Sequence, residues 1–292
     1  MKKVLILGAQ GNLGFQLVEV FKKDKNYQAI AWDRSDVDFL DFKKLESEIK
    51  KEKPETIINA TGYNNVDGCE EDEKELKLAY KLNRDLPKKL SEISLDLDAK
   101  FINFSTDYVF GREEGRKYYD EKDTPSPLQK YGETKYAGEK EIAKVKLENP
   151  KFKYFLIRTS KLFGPKGGSE FAKPSFFDIM INLSKDRDEF NVVHEEEWSC
   201  FTFTPDLAKA TKKLLEGDFD YGIYHIINEG PATWYTGVLE AFKLAGVKAK
   251  VTPVKGDEFP RPAKRPLSSI LQNNRFPKLR NYKEALKEYL KK

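Results

Sequence analysis

The stretch "KYGETKYAGE", residues 130–139, places Tyr131 four residues before Lys135 and Tyr136 four before Lys140. Tyr118 and Lys122 repeat the spacing upstream. A free tyrosine titrates at about 10, so proton transfer near neutrality needs help. A nearby ammonium favours phenolate, and residues four apart share a helix face. The spacing therefore suits an acid–base pair. With 14 tyrosines in the chain, spacing alone does not choose among the three. Position does. "FSTD", residues 104–107, ends a strand, which puts Ser105 and Thr106 at the carboxyl edge of a sheet. A hydroxyl there can hold a carbonyl oxygen while a tyrosine delivers a proton. Tyr131 opens its helix near that edge. Tyr136 lies five residues on, rotated by about 140°, and faces elsewhere. Tyr118 precedes a loop.

A second constellation stands at the start of the chain. "GAQGNLG" sets Gly8, Gly11 and Gly14 directly after a first apolar strand, with Asn12 and Leu13 at the mouth of a helix. Such a turn lets backbone approach a pyrophosphate and offers it the free N–H groups of the helix start. The context of strand, turn and helix makes this a dinucleotide site. Asp33 ends the second strand, where a carboxylate can accept from an adenine ribose; Arg34 beside it could meet a 2′-phosphate. The pair leaves NADH and NADPH both open. Asp41 belongs to the same expected set. Ala60, Gly62 and Tyr63, in "NATGYNNVD" after the third strand, stand at the edge where such sheets bind ligands.

These residues need a particular scaffold. "KKVLILGA", "YQAIAWD", "ETIINATG", "KFINFSTDYVFG" and "KYFLIRTS" read as strands, separated by helical segments, of which residues 73–95 form one or two with a break near Pro87. The alternation implies an α/β fold, a doubly wound parallel (Rossmann) sheet. After about residue 160 the rhythm degrades. "TPDLAKATKKLLEG" reads as a helix with an amino-terminal cap, and "GIYHIIN" as a strand that rejoins the first sheet. The expected division is a dinucleotide-binding domain of residues 1–160 plus about 205–228, and a smaller, mostly carboxy-terminal substrate lobe of about 161–204 and 229–292.

Charge and composition narrow the function. Of 292 residues, 52 are Lys or Arg and 48 Asp or Glu, so the net of +4 gives no nucleic-acid footprint. Cys69 and Cys200, with His194 and His225, make neither a disulfide framework nor a metal site. The apolar amino-terminal run is too short for a signal peptide, and no segment reaches membrane-spanning length. A soluble, cytoplasmic protein is expected, without membrane or nucleic-acid partners.

Gly8-x-x-Gly11-x-x-Gly14, Thr106 and Tyr131-x-x-x-Lys135 resemble the extended short-chain dehydrogenase/reductase superfamily. Within it, "STDYVFG", "YGETKYAGE", "RTSKLFG" and "RPLSSIL" are similar to the dTDP-4-dehydrorhamnose reductase family, over almost the whole chain. The resemblance implies hydride delivery from NADPH or NADH to C4 of a nucleotide-linked 4-keto-6-deoxy sugar. It makes Tyr131 the proton donor, Lys135 the residue that binds the nicotinamide ribose and tunes Tyr131, and Thr106, with Ser105, the holder of the carbonyl oxygen. It implies that Lys161 and Arg265 face the substrate, Arg265 as a diphosphate partner. A homodimer is the family-level expectation. Related dehydratases carry Thr-Asp-Glu where this chain has Thr106-Asp107-Tyr108, which argues against dehydration and leaves Asp107 a supporting hydrogen-bonder. Three segments depart from the family: Lys161 replaces a frequent tryptophan, "EWSCFT" (197–202) replaces Gln-x-Gly-x-Pro-Thr, and "GGSEFAK" follows Pro165-Lys166. All three are expected on the substrate side. They keep two alternatives in play: another reductase or epimerase of the superfamily, and a regulatory subunit resembling the methionine adenosyltransferase beta subunit.

Overall fold

A computed structural model describes residues 1–170, 172–194 and 197–291. Six strands make the main sheet: β1 (Lys2–Leu7), β2 (Tyr27–Trp32), β3 (Thr56–Asn59), β4 (Lys100–Thr106), β5 (Tyr154–Thr159) and β6 (Gly222–His225). Their order across the sheet is β2-β1-β3-β4-β5-β6, with every pairing parallel. The winding reverses between β1 and β3. A crevice opens there, beyond the carboxyl ends of the strands, where ligands bind in such sheets.

Both faces of the sheet are covered, so its strands are apolar on both sides and sort by alternation. Val4 and Ile6 point into one core with Ile58, Ile102 and Ile157. Helices α1 (Asn12–Lys22) and α6 (Thr204–Glu216) close that face through Leu17, Phe21, Leu207 and Leu214. Leu5 and Leu7 point the other way, with Ile57, Phe101 and Leu156. Helices α2 (Phe42–Glu52), α4 (Leu86–Asp96) and α5 (Lys130–Glu148) cover them with Leu45, Leu90 and Ile142.

Residues 73–95, expected as one or two helices with a break near Pro87, form two. Helix α3 (Glu73–Tyr80) passes into a π-helical turn, Lys81–Asp85, before α4 begins. Pro87 stands in the first turn of α4, where its missing N–H costs nothing, so the break precedes it. A correction concerns α6. Its N-cap residue is Phe203, without a side-chain cap, and Thr204 is already helical. "GIYHIIN" does supply the sheet's last strand, β6.

Residues beyond β5 build a second layer with an aromatic core of Phe163, Phe177, Phe201, Phe203 and Tyr282. The helix Phe176–Leu183 starts from a Ser175/Asp178 capping box. A two-stranded parallel ribbon pairs Glu189–Val193 with Lys250–Val254, and helix Trp234–Ala245 packs beside it.

Candidate active site

The glycine turn follows β1. Gly8 adopts φ +75°, a left-handed conformation that favours glycine. Gly14 lies so near the Gly8 carbonyl that no β-carbon fits between them. Gly11 is the N-cap residue of α1, with no side chain to occupy the helix start. The carboxylate of Asp33 accepts from the Gln10 N–H at 3.1 Å and the Arg34 N–H at 2.9 Å, which fixes the turn against the end of β2. Ala60 forms the opposite wall, its N–H bonded to the Leu7 carbonyl at 3.0 Å. Asp41 lies elsewhere in role: it is the N-cap of α2 and accepts from the Lys44 N–H at 3.1 Å. Its carboxylate serves a helix end, which corrects its assignment to the cofactor set.

Across the crevice, Tyr131 opens α5 after Gln129, whose side chain caps the helix on the Gly132 N–H. Tyr131 is 8% exposed, with its phenol beside the Thr106 hydroxyl at the end of β4. Thr106 Oγ1 in turn donates to Asp107 at 3.2 Å. Asp107 is buried and also accepts from Ser160 at 2.7 Å and Ser269 at 2.6 Å. A hydrogen-bonded line thus runs from Thr106, beside the phenol, into the wall between the two layers. Burial raises the Asp107 carboxyl, opposed by those hydroxyls and by the charge of Lys161.

Lys135 lies one helical turn beyond Tyr131. Its ammonium donates to the Phe104 carbonyl at 3.3 Å and lies against Gly62. Burial pushes its pKa down to about 8, opposed by Glu139. Burial raises the Tyr131 phenol, with Thr106 acting in the lowering direction.

Ser105 needs a larger correction. Neighbouring strand residues point to opposite faces, and Ser105 donates to Glu139 at 2.5 Å, beneath the site. Glu139 also binds Arg158, at 2.7 Å through Nη2 and 3.0 Å through Nε, and both side chains are under 5% exposed. Ser105 therefore belongs to a buried ion-pair network and not to the carbonyl site. Tyr136 packs against the cluster of Phe110 and Tyr119, with Lys140 5.0 Å above its ring. Cys200 is buried, its thiol pushed up to about 12 mainly by desolvation.

One contributor was not read from the sequence. Asn83, in the π-helical turn, accepts from the Tyr63 N–H, donates to the Tyr63 carbonyl, and donates to Thr134 of α5, each at 3.0 Å. It ties the loop holding Gly62 and Tyr63 to the helix holding Tyr131. A π-turn often marks such a site, but asparagine inside a helical pattern gives little warning of it. Asn12, expected at the cofactor, also joins the two layers. Its side chain accepts from the Gly167 N–H and donates to the Lys173 carbonyl, both at 2.9 Å. The segment after Gly167 therefore lies against the glycine turn, not on the substrate side alone.

On the substrate side, Arg265 donates to Asp67 and to the Ala263 carbonyl, each at 2.8 Å. Its fork is committed to a carboxylate in the loop after β3, which weighs against a diphosphate role. Lys161 donates to the Glu197 carbonyl at 2.6 Å and sits 4.2 Å from the centroid of the Trp234 ring.

Comparison with known proteins accords with this geometry. The family model described as "RmlD substrate binding domain" matches residues 1–292. The chain belongs to that family. It is 32% identical to a dTDP-4-dehydrorhamnose reductase of Streptomyces griseus, over 97% of this chain and 91% of the relative. The crystal structure of a dTDP-4-dehydrorhamnose reductase from Clostridium acetobutylicum superposes with a TM-score of 0.88 at 36% identity, covering 99% of this chain and 98% of that one. The reductase from Bacillus anthracis, solved in complex with NADP, gives 0.89 at 33%, with 99% of both chains covered.

Proposed function

We propose that this protein reduces the C4 keto group of a nucleotide-linked 4-keto-6-deoxy sugar with NADPH or NADH, converting dTDP-4-dehydro-L-rhamnose to dTDP-L-rhamnose. The observation that carries the reading is the Tyr131 phenol beside Thr106 at the sheet edge, with Lys135 one turn on and the glycine turn opposite. The names and close fit of the relatives support it.

The residues present suit a dinucleotide. Gly8, Gly11 and Gly14 leave a side-chain-free cradle at the start of α1, where N–H groups and the helix dipole favour phosphate. Asn12 and Leu13 border it, Asp33 and Arg34 stand at the ribose end, and Ala60, Gly62 and Tyr63 form the facing wall. Lys135, beside Gly62, would hold the nicotinamide ribose. The dinucleotide, when bound, supplies the hydride.

The protein's own part is to place and protonate. Thr106 Oγ1 turns its single proton from Asp107 to the carbonyl oxygen, beside the Tyr131 hydroxyl, while Ser160 and Ser269 continue to satisfy Asp107. Tyr131 releases its proton to that oxygen as negative charge develops there. Its raised pKa keeps it protonated near neutrality, the form that reduction consumes. Residues 1–160 with about 205–228 serve as the cofactor domain, and the remainder as the substrate lobe. No described helix is long and apolar enough to cross a membrane, which fits a cytoplasmic enzyme. A homodimer is part of the proposal, to be checked by light scattering.

Purified protein given NADPH or NADH and dTDP-4-keto-6-deoxy-L-mannose should consume the reduced cofactor, followed by absorbance. No oxidation with either cofactor overturns the reading.

A further inference from the structure

Three segments of the second layer converge on Glu197, which is 2% exposed. Its Oε1 accepts from Arg261 Nη2 at 2.5 Å and its Oε2 from Trp234 Nε1 at 2.7 Å. Its carbonyl accepts from Lys161. Lys161 and Glu197 both hold left-handed backbone, at φ +35° and +61°. Side-chain-bearing residues adopt that conformation at a cost, and such strain gathers at functional sites.

This cluster borders the reacting groups. Tyr108 packs edge-on against the Tyr131 ring, with centroids 6.2 Å apart. Lys161 follows Ser160, which donates to Asp107, the acceptor of Thr106. Two residues beyond Arg261, the Ala263 N–H donates to Asp67 in the loop after β3 at 3.1 Å. Arg261 therefore stands between the Lys161–Trp234 wall and that loop.

The two arginines of "FPRPAKRP" differ in what they can offer. Arg265 is 9% exposed along its side chain and spends both terminal nitrogens within the protein. Arg261 is 27% exposed and is held through Nη2 by a buried carboxylate. A guanidinium anchored at one nitrogen and partly exposed suits phosphate oxygens, which it meets as a planar fork. We propose that Arg261, aimed by Glu197, recognises the diphosphate of the nucleotide sugar, and that Arg265 is a strut tying its loop to Asp67. The assignment rests on the reductase reading above.

The test titrates dTDP into wild type, Arg261→Gln and Glu197→Gln by calorimetry, alongside steady-state kinetics. Arg261→Gln should weaken dTDP about tenfold or more and raise KM for the nucleotide sugar in step, with kcat within about threefold and NADPH affinity unchanged. Glu197→Gln keeps an acceptor for Trp234 but loses the charge that holds Arg261, so it should shift both quantities the same way. Arg261→Lys keeps the charge without the fork and should recover only part of the affinity, which serves if Arg261→Gln does not fold. Wild-type dTDP affinity in either Arg261 variant overturns the assignment. Wild-type protein that binds dTDP through Arg261 but never oxidises cofactor would sink the reductase reading and leave the assignment standing. Wild type that fails to bind dTDP sinks the assignment.

Discussion

The Asn12 side chain accepts a hydrogen bond from the Gly167 N–H at 2.9 Å, joining the glycine turn of the sheet to the first loop of the second layer. The Ser169 N–H adds a bond to the Gln10 carbonyl at 3.0 Å. The backbone that surrounds the phosphate cradle is thus shared between the two layers.

That contact predicts a contrast between adjacent glycines. A β-carbon on Gly167 would collide with the backbone of Gln10 and Gly11, whereas one on Gly168 meets nothing within 4 Å. Gly167→Ala should weaken NADPH binding about tenfold, since overpacked backbone must move. Gly168→Ala should stay within about twofold. Fluorescence titration of NADPH into the two variants distinguishes them; equal affinities would refute a role for this contact.

Tyr131→Phe should lower kcat by about a hundredfold or more while leaving the NADPH dissociation constant unchanged, because only the proton donor is lost. Tyr136→Phe, on the far face beneath Lys140, should change kcat by less than about twofold. The reverse ranking in steady-state assays would move the catalytic register by five residues.

Lys135 predicts a pH effect on stability. Its folded pKa of about 8 lies below the ordinary 10.5, so the folded state releases its proton first as pH rises. The unfolded chain then binds more protons, and stability rises with pH between those two values. Below about 8 the cost of burying the ammonium is fully present. Lys135→Met should accordingly raise Tm near neutrality, with the gain shrinking through that window. A gain that stays constant in thermal melts across the window would contradict a lowered pKa for Lys135.

The Arg158–Glu139 pair predicts non-additivity. Arg158→Met leaves the Glu139 carboxylate buried with only Ser105 for a partner, and should cost about 3–5 kcal/mol. Adding Glu139→Leu should return much of that loss, because two apolar groups then replace two charges. Urea denaturation of the single and double variants measures the coupling; simple addition would show that the pair acts independently.

Much of the cofactor side was legible in the sequence because it rests on local rules. The glycines follow an apolar strand and precede a helix, so their role is set by neighbours a few residues away. The choice of Tyr131 over Tyr136 followed from helix rotation and the position of "FSTD". Ser105 could have been placed correctly by the same reasoning, since strand alternation turns it away from Thr106. Asp41 also carried a local signal, an aspartate directly before a helical run. Glu197 and Gly167 carried none. Their roles depend on Arg261, Trp234 and Gln10, which are remote in the chain, and only tertiary packing brings them together.

Strand β6 lies at one edge of the sheet beside β5, yet residues 160–221 separate them in the chain. As the polypeptide leaves the ribosome, β5 must wait with one side unpaired while the first part of the second layer and α6 emerge. The sheet can be completed only after His225 is out. Deleting the intervening segment as a unit would remove α6, which closes one face, so the cofactor half is not a free-standing module that could be cut out at residue 160 and expressed alone.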